Sequence, residues 1–93
     1  MQHGELPGGL ELQRVTDVFD VDSVPAGLLR AHRLAAGVWG LVSVTQGELT
    51  FVWEDRPDDP VTLHASDSLV IEPATRHHVE PGPDARFTVA FHR

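Results

Sequence analysis

The chain has 93 residues and a mass of 10.2 kDa, room for a single domain over 1–93 with one compact core. Fourteen Asp and Glu oppose seven cations, all arginine, so the formal net charge is −7 and nucleic acid and anionic membrane surfaces are excluded as partners. Cys and Lys are both absent, which excludes disulfides, thiolate metal sites, thiol nucleophiles and Schiff-base chemistry.

No apolar run approaches the roughly 20 residues of a membrane-spanning helix. The start, Met-Gln-His-Gly-Glu-Leu-Pro, lacks a basic region followed by an apolar stretch, so a cytoplasmic location is expected.

Read in chain order, residues 1–10 hold Gly4, Pro7, Gly8 and Gly9 and predict an irregular arm. Residues 11–19 predict a first, imperfectly alternating strand. Turn formers including Pro25 fill Asp20–Gly27. Leu28–Leu34 predicts a strand with Leu28, Arg30, His32 and Leu34 on one face and Leu29, Ala31 and Arg33 on the other; the helical alternative there is Gly27–Ala36. Val38–Thr45 and Glu48–Glu54 flank Gln46-Gly47, a hairpin signal because glycine tolerates a positive φ. Leu49, Phe51 and Trp53 alternate and predict one strongly apolar face. After the solvated turn Asp55–Pro60 come short strand-like pieces at Val61–His64, Leu69–Ile71, His77–Glu80 and Arg86–His92. Short strands punctuated by Gly and Pro predict an all-β domain, a small barrel or sandwich.

Histidine is the informative residue, with six in the chain. His3 and His92 are expected in solvent, and His64 at a strand end beside a turn. If the Leu28/Leu34 face points inward, His32 and Arg30 enter the core together, which requires a polar cavity; if that strand is exposed, the same face is simply wet. The cluster His77-His78-Val79-Glu80 combines imidazole and carboxylate donors that suit a divalent ion such as Zn, Fe, Ni or Mn. In a regular strand His77 shares a face with Val79, and His78 with Glu80. Glu80 joins His77 only through a bulge or at the strand end before Pro81-Gly82-Pro83.

Val24-Pro25-Ala26-Gly27-Leu28, His32, Gly37-Val38-Trp39, Gln46-Gly47-Glu48-Leu49 and Ile71-Glu72-Pro73, followed by His77 and Val79-Glu80, together resemble the small TehB/YeaR-like cupins. That family is named in part for the N-terminal region of a tellurite-resistance protein. The resemblance covers roughly residues 10–92 and implies a cupin-type double-stranded β-helix, a small jelly-roll barrel around one cavity. It places His32 in the first cupin segment and His77 in the second. The family's carboxylate three residues after the second histidine falls on Glu80. The implied divalent-metal ligands are therefore His32, His77 and Glu80, with His78 and His64 as additional candidates. The chain departs from the cupin pattern at Gly40, where the first motif ordinarily carries a glutamate.

These readings lead to a small metal-binding cupin acting on or binding a small oxyanion or organic acid, with Arg30 and Trp39 contacting the substrate. The alternative is a metal-free binding or sensing cupin without chemistry. A small-molecule ligand and a homodimer are the expected partners.

Overall fold

The computed structural model describes residues 1–30 and 32–93. Eight strands dominate: β1 (Gln2–His3), β2 (Leu12–Val15), β3 (Trp39–Gln46), β4 (Glu48–Trp53), β5 (Val61–His64), β6 (Ser68–Ile71), β7 (His77–Pro81) and β8 (Arg86–His92). They form a five-stranded sheet, order β1-β6-β3-β8-β2, and a three-stranded sheet, order β5-β4-β7. The expected all-β class is thus what the chain adopts, as two facing sheets rather than a closed barrel among the described residues. No helix among them is long and apolar enough to cross a membrane.

Alternation builds the core. Gly40, Val42 and Val44 of β3, Leu49, Phe51 and Trp53 of β4, and Phe87 and Val89 of β8 are all buried. Apart from Gly40, these side chains join one cluster with Leu34, Leu63, Leu69, Ile71 and Val79, drawn from both sheets. Phe51, Phe87, Leu49 and Leu63 are wholly buried, and each such side chain contributes roughly 1.5–3 kcal/mol of transfer free energy.

Three sequence expectations are corrected. The pieces flanking Gln46-Gly47 are not a hairpin: β3 pairs with β6 and β8, while β4 pairs with β5 and β7. Gly47, at φ +70°, carries the chain from one sheet to the other. A Cβ there would lie 2.6 Å from the backbone of Asp84, so the glycine permits a crossing rather than a reversal.

The Leu28–Leu34 strand is replaced by a 3-10 turn at Ala26–Leu29, entered from Pro25 with φ −58°. Proline's fixed φ suits the entry to such a turn, so local chemistry overrides the weak alternation. The segment returns to extended backbone at Arg30 and makes an isolated antiparallel bridge from His32 to His77. Ala31, expected on that strand's outer face, lies outside the described residues.

The N-terminal arm is not wholly irregular, because Gln2 and His3 pair in parallel with Ser68 and Leu69. Gly4 then lies against Val70, covering part of the five-stranded sheet's outer side.

Candidate functional site

The site begins at one pair of backbone hydrogen bonds. The His32 N–H donates to the His77 carbonyl at 2.8 Å, and the His77 N–H donates to the His32 carbonyl at 2.7 Å. This bridge fixes the segment after the 3-10 turn against the start of β7. It brings two side chains distant in sequence together, with ring centroids 5.5 Å apart and planes at 87°.

His77 is 1% exposed. Its ring stacks on Phe51 at 5.0 Å and meets the edge of Trp53 at 5.7 Å. Its Nδ1 lies 3.0 Å from the Thr75 carbonyl oxygen. A carbonyl only accepts, so Nδ1 carries the hydrogen. Burial lowers the pKa of His77 below the ordinary histidine value; the Thr75 carbonyl opposes this, and neighbouring His32 pushes it further down. His77 is therefore a neutral imidazole with Nε2 as its unprotonated nitrogen, an acceptor of fixed tautomer.

Both rings line a cavity of about 260 Å³ that opens to solvent. Its walls are apolar, with Phe51, Phe87, Phe91, Leu34 and Ile71 among them, and its polar side chains are Arg14, Thr16, His32 and His77. No Asp or Glu among the described residues lines it. Thr16 is held in place because its Oγ1 accepts from the Val89 N–H at 3.0 Å and donates to the Asp17 carbonyl at 2.9 Å.

The other expected site residues lie elsewhere. Glu80 is exposed on the outer face of the three-stranded sheet, where its Oε2 is 2.7 Å from His78 Nε2. Glu54 Oε1 sits 2.5 Å from Nδ1 of the same ring, so His78 bridges two carboxylates. β7 stays regular through Glu80, which pairs with Thr50, and no bulge turns its side chain inward. His64, at the end of β5 on the far side of β4 from β7, is exposed with Nδ1 3.4 Å from Glu48. Arg30 is exposed just past the 3-10 turn and does not line the cavity. Trp39 is half-buried, on the face of β3 opposite Gly40 and Val42, also outside the cavity. His3 and His92, expected in solvent, are half-buried, and His92 Nδ1 is buried without a hydrogen-bond partner among the described residues.

Of the expected metal ligands the fold brings together two, His32 and His77. Among the described residues no three His, Cys, Asp or Glu side chains are grouped so that they could share an ion. Gly40 shows why a cupin-type glutamate has no place here. A Cβ on it would meet Leu34 Cδ1 at 3.1 Å and Ile71 Cδ1 at 3.2 Å, so that space is filled by hydrocarbon. The residues present do not fit a three-donor protein cage.

Sequence reasoning missed Arg14 and Thr16. Simple alternation does not mark them: a register shift between Leu12 and Arg14 sets Leu12 opposite His92 and Arg14 opposite the cavity-lining Phe91, and Thr16 lies just past the end of β2.

Against known proteins, a family model described as the TehB-like domain matches residues 14–89. No curated protein matches the sequence at a significant level. Among solved structures, a structural-genomics target from E. coli (strain K12) superposes with a TM-score of 0.87 at 22% identity, covering 96% of this chain and 95% of that one. TehB from Haemophilus influenzae superposes with a TM-score of 0.76 at 24% identity over 89% of this chain, which spans 31% of that protein. At these identities the two structures speak for the fold, and the family match covers most of the sequence. The chain belongs to the TehB-like domain family.

Proposed function

We propose that this protein is a cytoplasmic small-molecule-binding cupin, a compact jelly roll whose cavity takes a small organic acid between apolar walls, with His32 and His77 as polar anchors. The observation that carries this reading is the meeting of two imidazoles at 5.5 Å in a largely apolar cavity free of carboxylates among the described residues. Small-molecule sites have this composition: hydrophobic walls and a few convergent polar groups. Two sheets that share one apolar cluster support the jelly-roll assignment.

The test is thermal unfolding of chelator-treated protein against a panel of small organic acids and their neutral amides. A ligand that binds only the native state raises Tm by mass action. At least one acid is expected to do so, and His32→Ala to reduce the shift. A panel that leaves Tm unmoved in chelator overturns the metal-free reading.

A second reading has one observation in its favour. The hydrogen bond that fixes His77 Nδ1 on a carbonyl is the arrangement that orients metal-bound histidines. In that case His32 and His77 would be the protein donors, and a divalent ion would supply Lewis-acid chemistry. Near-stoichiometric metal retained after dialysis, and lost in both His32→Ala and His77→Ala, would favour this reading over the first.

A further inference from the structure

Charge is distributed unevenly between the surface and the cavity. The chain carries twice as many acids as arginines, yet Arg14 is the one formally charged side chain among the described cavity-lining residues. Arg14 is exposed on the edge strand β2 and makes no ion pair among those residues. Its guanidinium is free for a carboxylate, with a donor fork that matches two oxygens. The His77 end of the same cavity is different: it is closed to solvent, and Nε2 of His77 has a lone pair but no hydrogen. That nitrogen repels a carboxylate and attracts an O–H. Apart from His32 and Thr16 the walls between are hydrocarbon and carry no second formal cation among the described residues, so an unpaired ion there would be strongly disfavoured. At about 260 Å³ the cavity lies at the small end for ligand sites, which suits one compact molecule.

Resting on the small-molecule reading above, we propose that the cavity selects a compact hydroxylated monocarboxylate. Its carboxylate meets Arg14 at the mouth, its apolar body fills the walls, and its hydroxyl donates to Nε2 of His77 at the floor. Inorganic oxyanions leave the walls unfilled and dianions bring a charge with no partner, so both are rejected.

Isothermal titration of chelator-treated protein with 3- and 4-hydroxybenzoate, benzoate, 4-hydroxybenzyl alcohol and inorganic phosphate tests this. The better hydroxybenzoate is expected to bind at least tenfold more tightly than benzoate, the alcohol or phosphate. Arg14→Gln, a substitution of an exposed side chain, is expected to abolish the preference for acid over alcohol while keeping the preference for hydroxybenzoate over benzoate. His77→Gln is expected to lose the hydroxyl preference, with circular dichroism confirming its fold. Equal affinity for hydroxybenzoate and benzoate overturns the role of His77, and equal affinity for acid and alcohol overturns that of Arg14. In both cases the binding reading survives, whereas no heat with any probe removes the binding reading as well. Binding that appears only with added metal overturns the proposal in favour of the metal reading.

Discussion

His77 and His78 are neighbours in sequence, but their pKa values are shifted in opposite directions, because a strand sends them to opposite faces. His77, buried and neutral, has its pKa lowered; His78, held between Glu80 and Glu54, has its pKa raised, chiefly by the Glu80 hydrogen bond. The stability linked to His77 is complete above about pH 6.5, its unfolded value, and is lost as pH falls through the lowered folded value. The stability linked to His78 is complete below about pH 6.5 and is lost as pH rises through the raised folded value. Denaturant midpoints from pH 5 to 9 are therefore expected to separate wild type from His78→Gln most at acid pH, with the gap closing as pH rises. A gap that stays constant with pH would show that the two carboxylates do not act on His78 as charges. At this scale His77 was legible: sharing a face with Val79 put it inside. The same parity put Glu80 outside, and its inclusion among the ligands came from family likeness rather than from the strand.

Among the elements, strand positions were well marked in the sequence and their partners were not. Val61–His64 and Arg86–His92 form strands over the expected bounds, since alternation of apolar side chains is a local property. The crossing at Gly47 reads like a hairpin turn because both demand a positive φ, and only packing against Asp84 and Ala85 distinguishes them. Gly47→Ala is expected to destabilise the fold by at least about 2 kcal/mol, from the left-handed backbone and the backbone overlap together. Chemical denaturation measures this directly, and a loss below about 0.5 kcal/mol would mean that the crossing relaxes freely. By contrast, Gly8→Ala at a position with open space around it is expected to change stability little.

For the molecule as a whole, the free edge of β2 matters most. Leu12, Val15 and Val18 are each more than half exposed along and beyond this strand, which pairs on one side only, with β8. Unpaired edges beside apolar side chains favour association, and a second copy of this chain is the expected partner. Sedimentation at tens of micromolar is expected to give a dimer, and Val15→Lys to shift it toward monomer. A wild-type monomer at that concentration removes the expectation.

Sequence alone settled which chemistry the chain lacks and marked most of its strands, though not β1 or the 3-10 turn at Ala26–Leu29, because composition is absolute and a two-residue period is read locally. Tertiary structure decided that His32 meets His77, that Arg14 rather than Arg30 reaches the cavity, and that Leu34 and Ile71 fill the space beside Gly40. Those outcomes depend on which strands pair and how two sheets face each other. Loop closure and side-chain packing set such long-range choices, and no local pattern encodes them.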